Sequence, residues 1–421
     1  MQKISFSPAG IVILSGVVAA LHLGKVSPAI PALQVSLNLT MVQAGFLLSL
    51  MQLAGMLAGV MIGVFSDGLG LRRSIISGQT ILCLASVVGM GARQPDELLM
   101  LRALEGLGFL LTTLSTPGLI RQLVSRERLA LHLGLWGCYV AMGTSMVFVA
   151  GPTLIAAMGW QGCWGVPAIC SAAMIIWLVR AVPSDRQRRP PESTSARWIT
   201  APSEAWAHRL WTVLKACGPW RVGIAFAMYS GQWIAVIGFL PSIYADTGLS
   251  GPKAGALTAL AAFINISGSA SAALLLHRGI SARRLLLVGY SCMAIMTLFA
   301  FGQFTQGMPV VRYGAVLIFS AVGGVIPGTL FMIAVSVAPN ERTVSTAVGW
   351  VQQISSMGMF VMPPLLAKLA GWAGGWHWTW IASGLVSLIG LLLATGLAKD
   401  DYVPSTPIPE KDYLSGQDRC N

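Results

Sequence analysis

The sequence predicts an all-α membrane protein with twelve transmembrane helices, built as a duplicated six-helix unit. Of its 421 residues, 55% are hydrophobic and 10% charged. The mean hydropathy is +0.71, outside the range of soluble domains. Apolar stretches of about 20 residues, the length that crosses a bilayer as a helix, recur along the whole chain. The chain also repeats itself at half its length. Gly68 with Arg72-Arg73 returns as Gly279 with Arg283-Arg284. Residues 149–154 with Gly159-Trp160 return as 361–366 with Gly371-Trp372, Pro152 falling on Pro364 and Trp164 on Trp376.

Taken in order, the predicted spans α1 to α12 lie at 9–33, 41–65, 74–92, 97–120, 130–153, 160–182, 219–243, 252–276, 285–304, 312–336, 345–370 and 376–397. The run in α1 starts like a secretory signal, with Lys3 ahead of it. It is too long for one and contains His22 and Lys25, so it is a retained span. Between α2 and α3, residues 63–73 form a polar, glycine-broken turn. Its glycines permit a tight reversal, and Arg72 and Arg73 hold it at a membrane face. Gly323-Gly324, Pro327 and Gly328 invite a bend or close packing in α10.

The first unit covers 1–182 and the second 219–397. Between them, 183–218 is a polar, proline-containing linker whose 198–215 part suits an amphipathic surface helix. The 398–421 tail is charged and proline-spaced. Of 27 Lys and Arg residues, Lys25 and Arg102 lie inside spans. Arg93, Lys253, Arg312 and Lys368 fall on one side and the other 21 on the side of both termini. That asymmetry places both termini in the cytoplasm and the chain in the cytoplasmic membrane.

Several functions are excluded by the same residues. The net charge of +12 comes from helix ends and not from one basic patch, so nucleic acid is not a partner; the lipid bilayer is. Seven cysteines lie mostly in apolar runs without paired spacing and act as packing residues. The absence of a phosphate-binding loop argues against ATP drive. With no metal-ligand spacing and no nucleophile beside a base, the chain is not expected to be an enzyme or to hold a cofactor or metal.

The turn with Gly63, Asp67, Gly70, Arg72 and Arg73 resembles the loop 2–3 signature of the major facilitator superfamily. Gly68 and Leu71 stand where that pattern has basic residues. Arg102-Ala103-Leu104-Glu105-Gly106 is similar to the helix 4 signature, with Glu105 in a glutamine place. Gly151-Pro152 in α5 resembles part of the antiporter signature, with Val147 at an expected glycine. The resemblance extends over all twelve spans. It implies two six-helix bundles related by pseudo-two-fold symmetry around a central cavity, rocking to give alternating access. It also implies a secondary transporter, most like bacterial porters for small solutes or organic anions, working as a monomer. Asp67, Arg72 and Arg73 would then form a cytoplasmic latch against the opposite half or a helix end.

Titratable residues inside spans are costly there and mark function. His22, Lys25, Arg102 and Glu105 meet that condition, all in the first half. Lys25 and Glu105 each lie eight residues from the outer end of their span, roughly 12 Å deep, so they share a level. His22 is on the face of Lys25. If Glu105 pairs with Arg102, Lys25 lacks a carboxylate and an anionic solute is its natural counter-ion. If Glu105 pairs with Lys25, a proton on Glu105 breaks the pair and couples transport to protons. The excess of basic groups favours the first pairing. The second half offers neutral groups: Tyr229, Gln232 and Trp233 in α7, Asn265 in α8, and Gln352 and Gln353 in α11. With Lys25 and His22 they are the expected substrate site, and Glu105 with Arg102 the expected proton-coupling site. Proton-coupled uptake of a small anion or organic acid follows. Proton-antiport efflux and a non-transporting membrane sensor are the alternatives.

Overall fold

In hydrocarbon every backbone N–H and C=O has to be satisfied within the segment, and a helix achieves this alone. The computed structural model describes residues 7–185, 203–340 and 343–396. Over 62–69 and at 126, 130, 203–206 and 345 it describes the backbone only. It holds twelve spans: α1 Pro8–Leu37, α2 Met41–Met61, α3 Leu71–Gly89, α4 Pro95–Leu123, α5 Glu127–Met158, α6 Gln161–Ala181, α7 Cys217–Asp246, α8 Gly251–His277, α9 Ala282–Phe301, α10 Pro309–Ser336, α11 Thr346–Ala373 and α12 Trp376–Thr395. Among the described residues there is no strand. The face on which α1 begins is called the near face below, and the opposite one the far face.

The tight reversal expected within 63–73 narrows to one residue, and most of that stretch is helix. Helix continues from Leu53 through Leu69, and α3 starts at Leu71. The reversal falls on Gly70 alone, at φ 93°. Glycine costs helix stability in water, but membrane helices accept it more readily. In the second half the matching reversal has Gly279 at φ 83°. The Gly159-Trp160 and Gly371-Trp372 match also slips. The chain reverses at Gly159 in the first half, whereas α11 runs on to Ala373 and reverses at Gly374 and Gly375. Trp372 is therefore exposed while Trp160 is buried.

A helix, Ser203–Lys215, precedes α7 and packs on α7 and α11, with Val213 buried and Trp211 exposed. Residues 186–202 of the linker, 397–421 of the tail and the Asp67 side chain lie outside the described residues.

The halves meet along three helix pairs: α2 with α11, α5 with α8, and α1 with α7. At the far end two of these contacts, α2 with α11 and α5 with α8, are so close that only glycine fits. A Cβ on Gly45 would lie 2.5 Å from Pro364 Cα. One on Gly255 would lie 2.4 Å from the Phe148 carbonyl oxygen and 2.7 Å from Pro152 Cγ. Pro152 and Pro364 are the repeat-related prolines, so the same glycine-on-proline seam closes the far face twice. Within the second half, α8 and α10 are interrupted at Ile264 and Gly324 and nest there. A Cβ on Gly324 would meet the Asn265 carbonyl oxygen at 2.3 Å. The expected bend and close packing of α10 are one feature.

Candidate functional site

Proline at 28 has no N–H for the Gly24 carbonyl and crowds it. The helix of α1 accordingly breaks at Lys25, between Pro8–Gly24 and Val26–Leu37. At a similar level α2 tightens into a 3-10 turn at Leu50–Gln52. Arg102 of α4 reaches across both irregularities. Its Nε donates to the Leu47 carbonyl (2.9 Å), Nη1 to the His22 carbonyl (2.6 Å) and Nη2 to the Leu23 carbonyl (3.1 Å). Nη1 also donates to Glu105 Oε2 at 2.7 Å. The guanidinium thus ties α1, α2 and α4 together.

The other oxygen of Glu105, Oε1, accepts from Lys25 Nζ and, at 3.1 Å, from Ser86 Oγ. Lys25 also donates to Ser86 Oγ and lies 4.8 Å from the centre of the Trp164 ring. His22 Nε2 is 2.9 Å from Ser171 Oγ, and its Nδ1 is 3.2 Å from Ser86 Oγ. All four titratable groups are at most 1% exposed. The expected choice between two pairings is overturned, because Glu105 makes both. A carboxylate has two oxygens: Arg102, one turn away on α4, takes one, and Lys25, at the same level on α1, takes the other. Lys25 is therefore not left without a carboxylate. Formally, two cations share one anion.

A closed cavity with room for about one water lies between the halves, lined by Leu23, Gly24 and Ser27 of α1, Leu48, Thr144, Phe148, and Trp233, Ile234, Ile237 and Gly238 of α7. At 3.6 residues per turn, Leu23 and Ser27 sit on the face of α1 opposite to His22 and Lys25. Of the expected substrate-site residues, His22 and Lys25 point into the bundle and do not line this cavity. Ser27 Oγ donates to the Gly238 carbonyl at 2.7 Å, which marks the crossing of α1 and α7.

Of the neutral candidates, Trp233 alone lines the cavity, with its Nε1 donating to Ser320 Oγ (3.1 Å). Asn265 Nδ2 donates to Tyr229 Oη (2.9 Å) and to the Ser320 carbonyl (2.8 Å), which occupies both groups inside the second bundle. Gln232 Oε1 accepts from Ser383 Oγ (2.6 Å) and Ser387 Oγ (3.2 Å) and faces α12. Gln353 Oε1 accepts from the Val60 backbone N–H (3.1 Å) and joins α2 to α11, and Gln352 is half-buried beside it. Unforeseen participants are Ser86, Ser171 and Trp164 around the charges, and Ser27, Thr144 and Phe148 at the cavity. Small hydroxyl residues recur in every span, so nothing in the sequence singled these out.

Arg72 engages a helix end. Its Nη2 donates to the Val179 carbonyl (2.7 Å) and its Nε to the Leu178 carbonyl (3.4 Å), in the last turn of α6. In return Asp185 accepts the backbone N–H of Arg72 (3.1 Å) and Arg73 (3.2 Å) at the start of α3. Each side chain caps the other's helix, with the charge its dipole favours. Gly70→Ala is expected to lower Tm by several degrees, a loss on the order of 1–2 kcal/mol. Its Cβ would stand 2.7 Å from Asp185 Oδ2 at a positive φ. Thermal unfolding of the purified protein in detergent checks this, and an unchanged Tm refutes the clasp.

A family model described as Major Facilitator Superfamily matches residues 12–347 and 222–413. The chain belongs to the major facilitator superfamily. A similar protein is the 2-nitroimidazole transporter of Escherichia coli (strain K12), 24% identical over 409 residues, covering 94% of this chain and 96% of that one. Solved structures similar to this facilitator include a D-xylose-proton symporter, with a TM-score of 0.73 and 15% identity over 92% of this chain and 95% of the other. Another is a bacterial homologue of the human lysosomal transporter Spinster, inward-facing, with a TM-score of 0.71 and 15% identity over 94% and 98%. At these identities the solved structures show the shared fold. This facilitator is a multi-pass membrane transporter and not an enzyme.

Proposed function

We propose that this transporter carries a small, flat, largely apolar solute by proton-coupled uptake, through the α1–α7 crossing, where the closed cavity widens as the halves rock apart. The carrying observation is the cavity wall. Trp233, Phe148, Leu23, Leu48, Ile234 and Ile237 supply apolar surface, and Ser27 and Thr144 supply hydroxyls. A few placed polar groups on an apolar wall suit a neutral solute. An anion held directly by Lys25 does not fit, since Lys25 is buried against Glu105 and Trp164 on the other side of α1. The solute in the name of the E. coli relative, 2-nitroimidazole, is a flat ring of the favoured kind. We place the near face and both termini in the cytoplasm on the distribution of Lys and Arg.

Proton coupling rests on Glu105. It is the one carboxylate between two buried cations, so a proton there removes the charge that holds α1 to α4. The formal excess of one cation in that cluster favours a second reading, an anion drawn in when the bundles open.

A thermal-shift screen separates the two. A ligand at 100-fold over its Kd stabilises the protein by about 2.7 kcal/mol. Stabilisation by 2-nitroimidazole, lost at least tenfold in affinity in Trp233→Ala, supports the neutral solute. Stabilisation by small carboxylates alone replaces it with the anion. In proteoliposomes an inward proton gradient is expected to drive accumulation, and expulsion under the same gradient would make the protein an efflux antiporter.

A further inference from the structure

The first bundle holds a second polar layer that neither the cavity nor the charged cluster uses. Two helical turns toward the near face from His22, Ser86 and Glu105 lie Ser15, Gln79 and Thr112, all fully buried. Gln79 Nε2 donates to the Ser15 carbonyl at 2.7 Å, which fixes its amide between α3 and α1. Ser15 and Thr112 turn their hydroxyls back onto their own helices, to Val12 (2.7 Å) and Gly108 (2.9 Å). Two buried atoms here have no protein partner: Gln79 Oε1 and, one turn beyond Thr112 on α4, Ser115 Oγ. Buried polar atoms ordinarily pair with protein or with ordered water. Between the two layers lies an apolar belt of Ala19, Leu82 and Phe109.

Glu105 itself faces away from the solute cavity and is 1% exposed. A proton therefore needs a route to it inside the bundle. We propose that Gln79 and Ser115 hold water in the first bundle, and that this water relays protons between the near face and Glu105 across the Ala19, Leu82 and Phe109 belt. The inference rests on the proton-coupled reading above. The layers are roughly 10 Å apart along the helices, a gap that about three hydrogen-bonded waters cross. In each passage one O–H bond forms on the Glu105 carboxylate while the adjacent water gives up a proton and regains one from the near-face side. Nothing is oxidised, and no further reactant is needed.

The test is a pH jump on the purified protein in nanodiscs, followed by rapid-scan infrared spectroscopy. The Glu105 signal is the protonated-carboxyl stretch that Glu105→Gln removes. Gln79→Leu is expected to slow its rise at least tenfold, with Gln79→Asn restoring most of the rate. Leu82→Ser, which breaches the belt without disturbing the charges, is expected to speed it. It keeps the test decisive if Gln79→Leu fails to fold. If the Gln79 and Leu82 variants leave the rise unchanged while the wild-type Glu105 signal is present, protons arrive by another route and the inference falls alone. If wild type shows no Glu105 signal at any pH, proton coupling at Glu105 falls, and the relay with it.

Discussion

Glu105→Leu is expected to prevent folding or nearly so, while Lys25→Met is expected to be mild. The leucine leaves Lys25 and Arg102 buried without a counter-charge, and removing one partner of a buried pair costs about 3–5 kcal/mol. Lys25→Met instead leaves Arg102 paired with Glu105 (2.7 Å) and still donating to three backbone carbonyls. The cluster then becomes formally neutral. Adding Lys25→Met to Glu105→Leu should recover a large part of the loss, since only Arg102 remains to be compensated. Tm and the monodisperse yield on size exclusion measure all three. If Lys25→Met does as much harm as Glu105→Leu, the asymmetry claimed for the cluster is wrong. The isosteric Glu105→Gln, where it folds, should lose accumulation driven by a pH gradient and keep solute counterflow, which moves no net proton.

The second large effect belongs to the far seam. Gly45→Leu and Gly255→Leu should each cut transport at least a hundredfold with little change in Tm. Already at the Cβ, the added side chains collide across the halves, with Pro364 and with the Phe148 carbonyl. Interiors at this density do not absorb such an overlap, so the far face is held open. A Ser27→Cys reporter should then react with a membrane-impermeant thiol reagent from the far side, and stay unreactive without the leucine. Normal transport by both variants would show that the seam does not close during the cycle.

Twelve spans were legible in the sequence because hydrocarbon leaves the backbone few options, and composition reports hydrocarbon directly. Counting residues from the span ends also put Lys25 and Glu105 at one level. It did not give direction around the helix. His22 and Lys25 look toward Ser86, Ser171 and Trp164, whereas Leu23 and Ser27 look toward α7, and only the neighbours of α1 decide which face is which. The partners of the neutral amides and phenol were illegible for a related reason. Gln232 and Asn265 are as polar as a solute site requires, but each finds a hydroxyl or carbonyl inside its own bundle. The turn at 63–73 could not be narrowed further, since a membrane helix tolerates its glycines until Gly70.

The crossing of Ser27 with Gly238 sits off the middle of both helices. From Ser27, α1 runs nineteen residues to its near end at Pro8 and ten to its far end at Leu37. In α7 the two arms run twenty-one residues to Cys217 and eight to Asp246. At 1.5 Å per residue the arms are about 30 Å and 12–15 Å. A crossing of this kind is a fulcrum with unequal levers. A rocking of about 15° would sweep the long arms roughly 8 Å and the short ones roughly 3–4 Å. The near mouth would open about twice as wide as the far one. Size selection would then fall on the narrow far mouth, whichever way the solute moves.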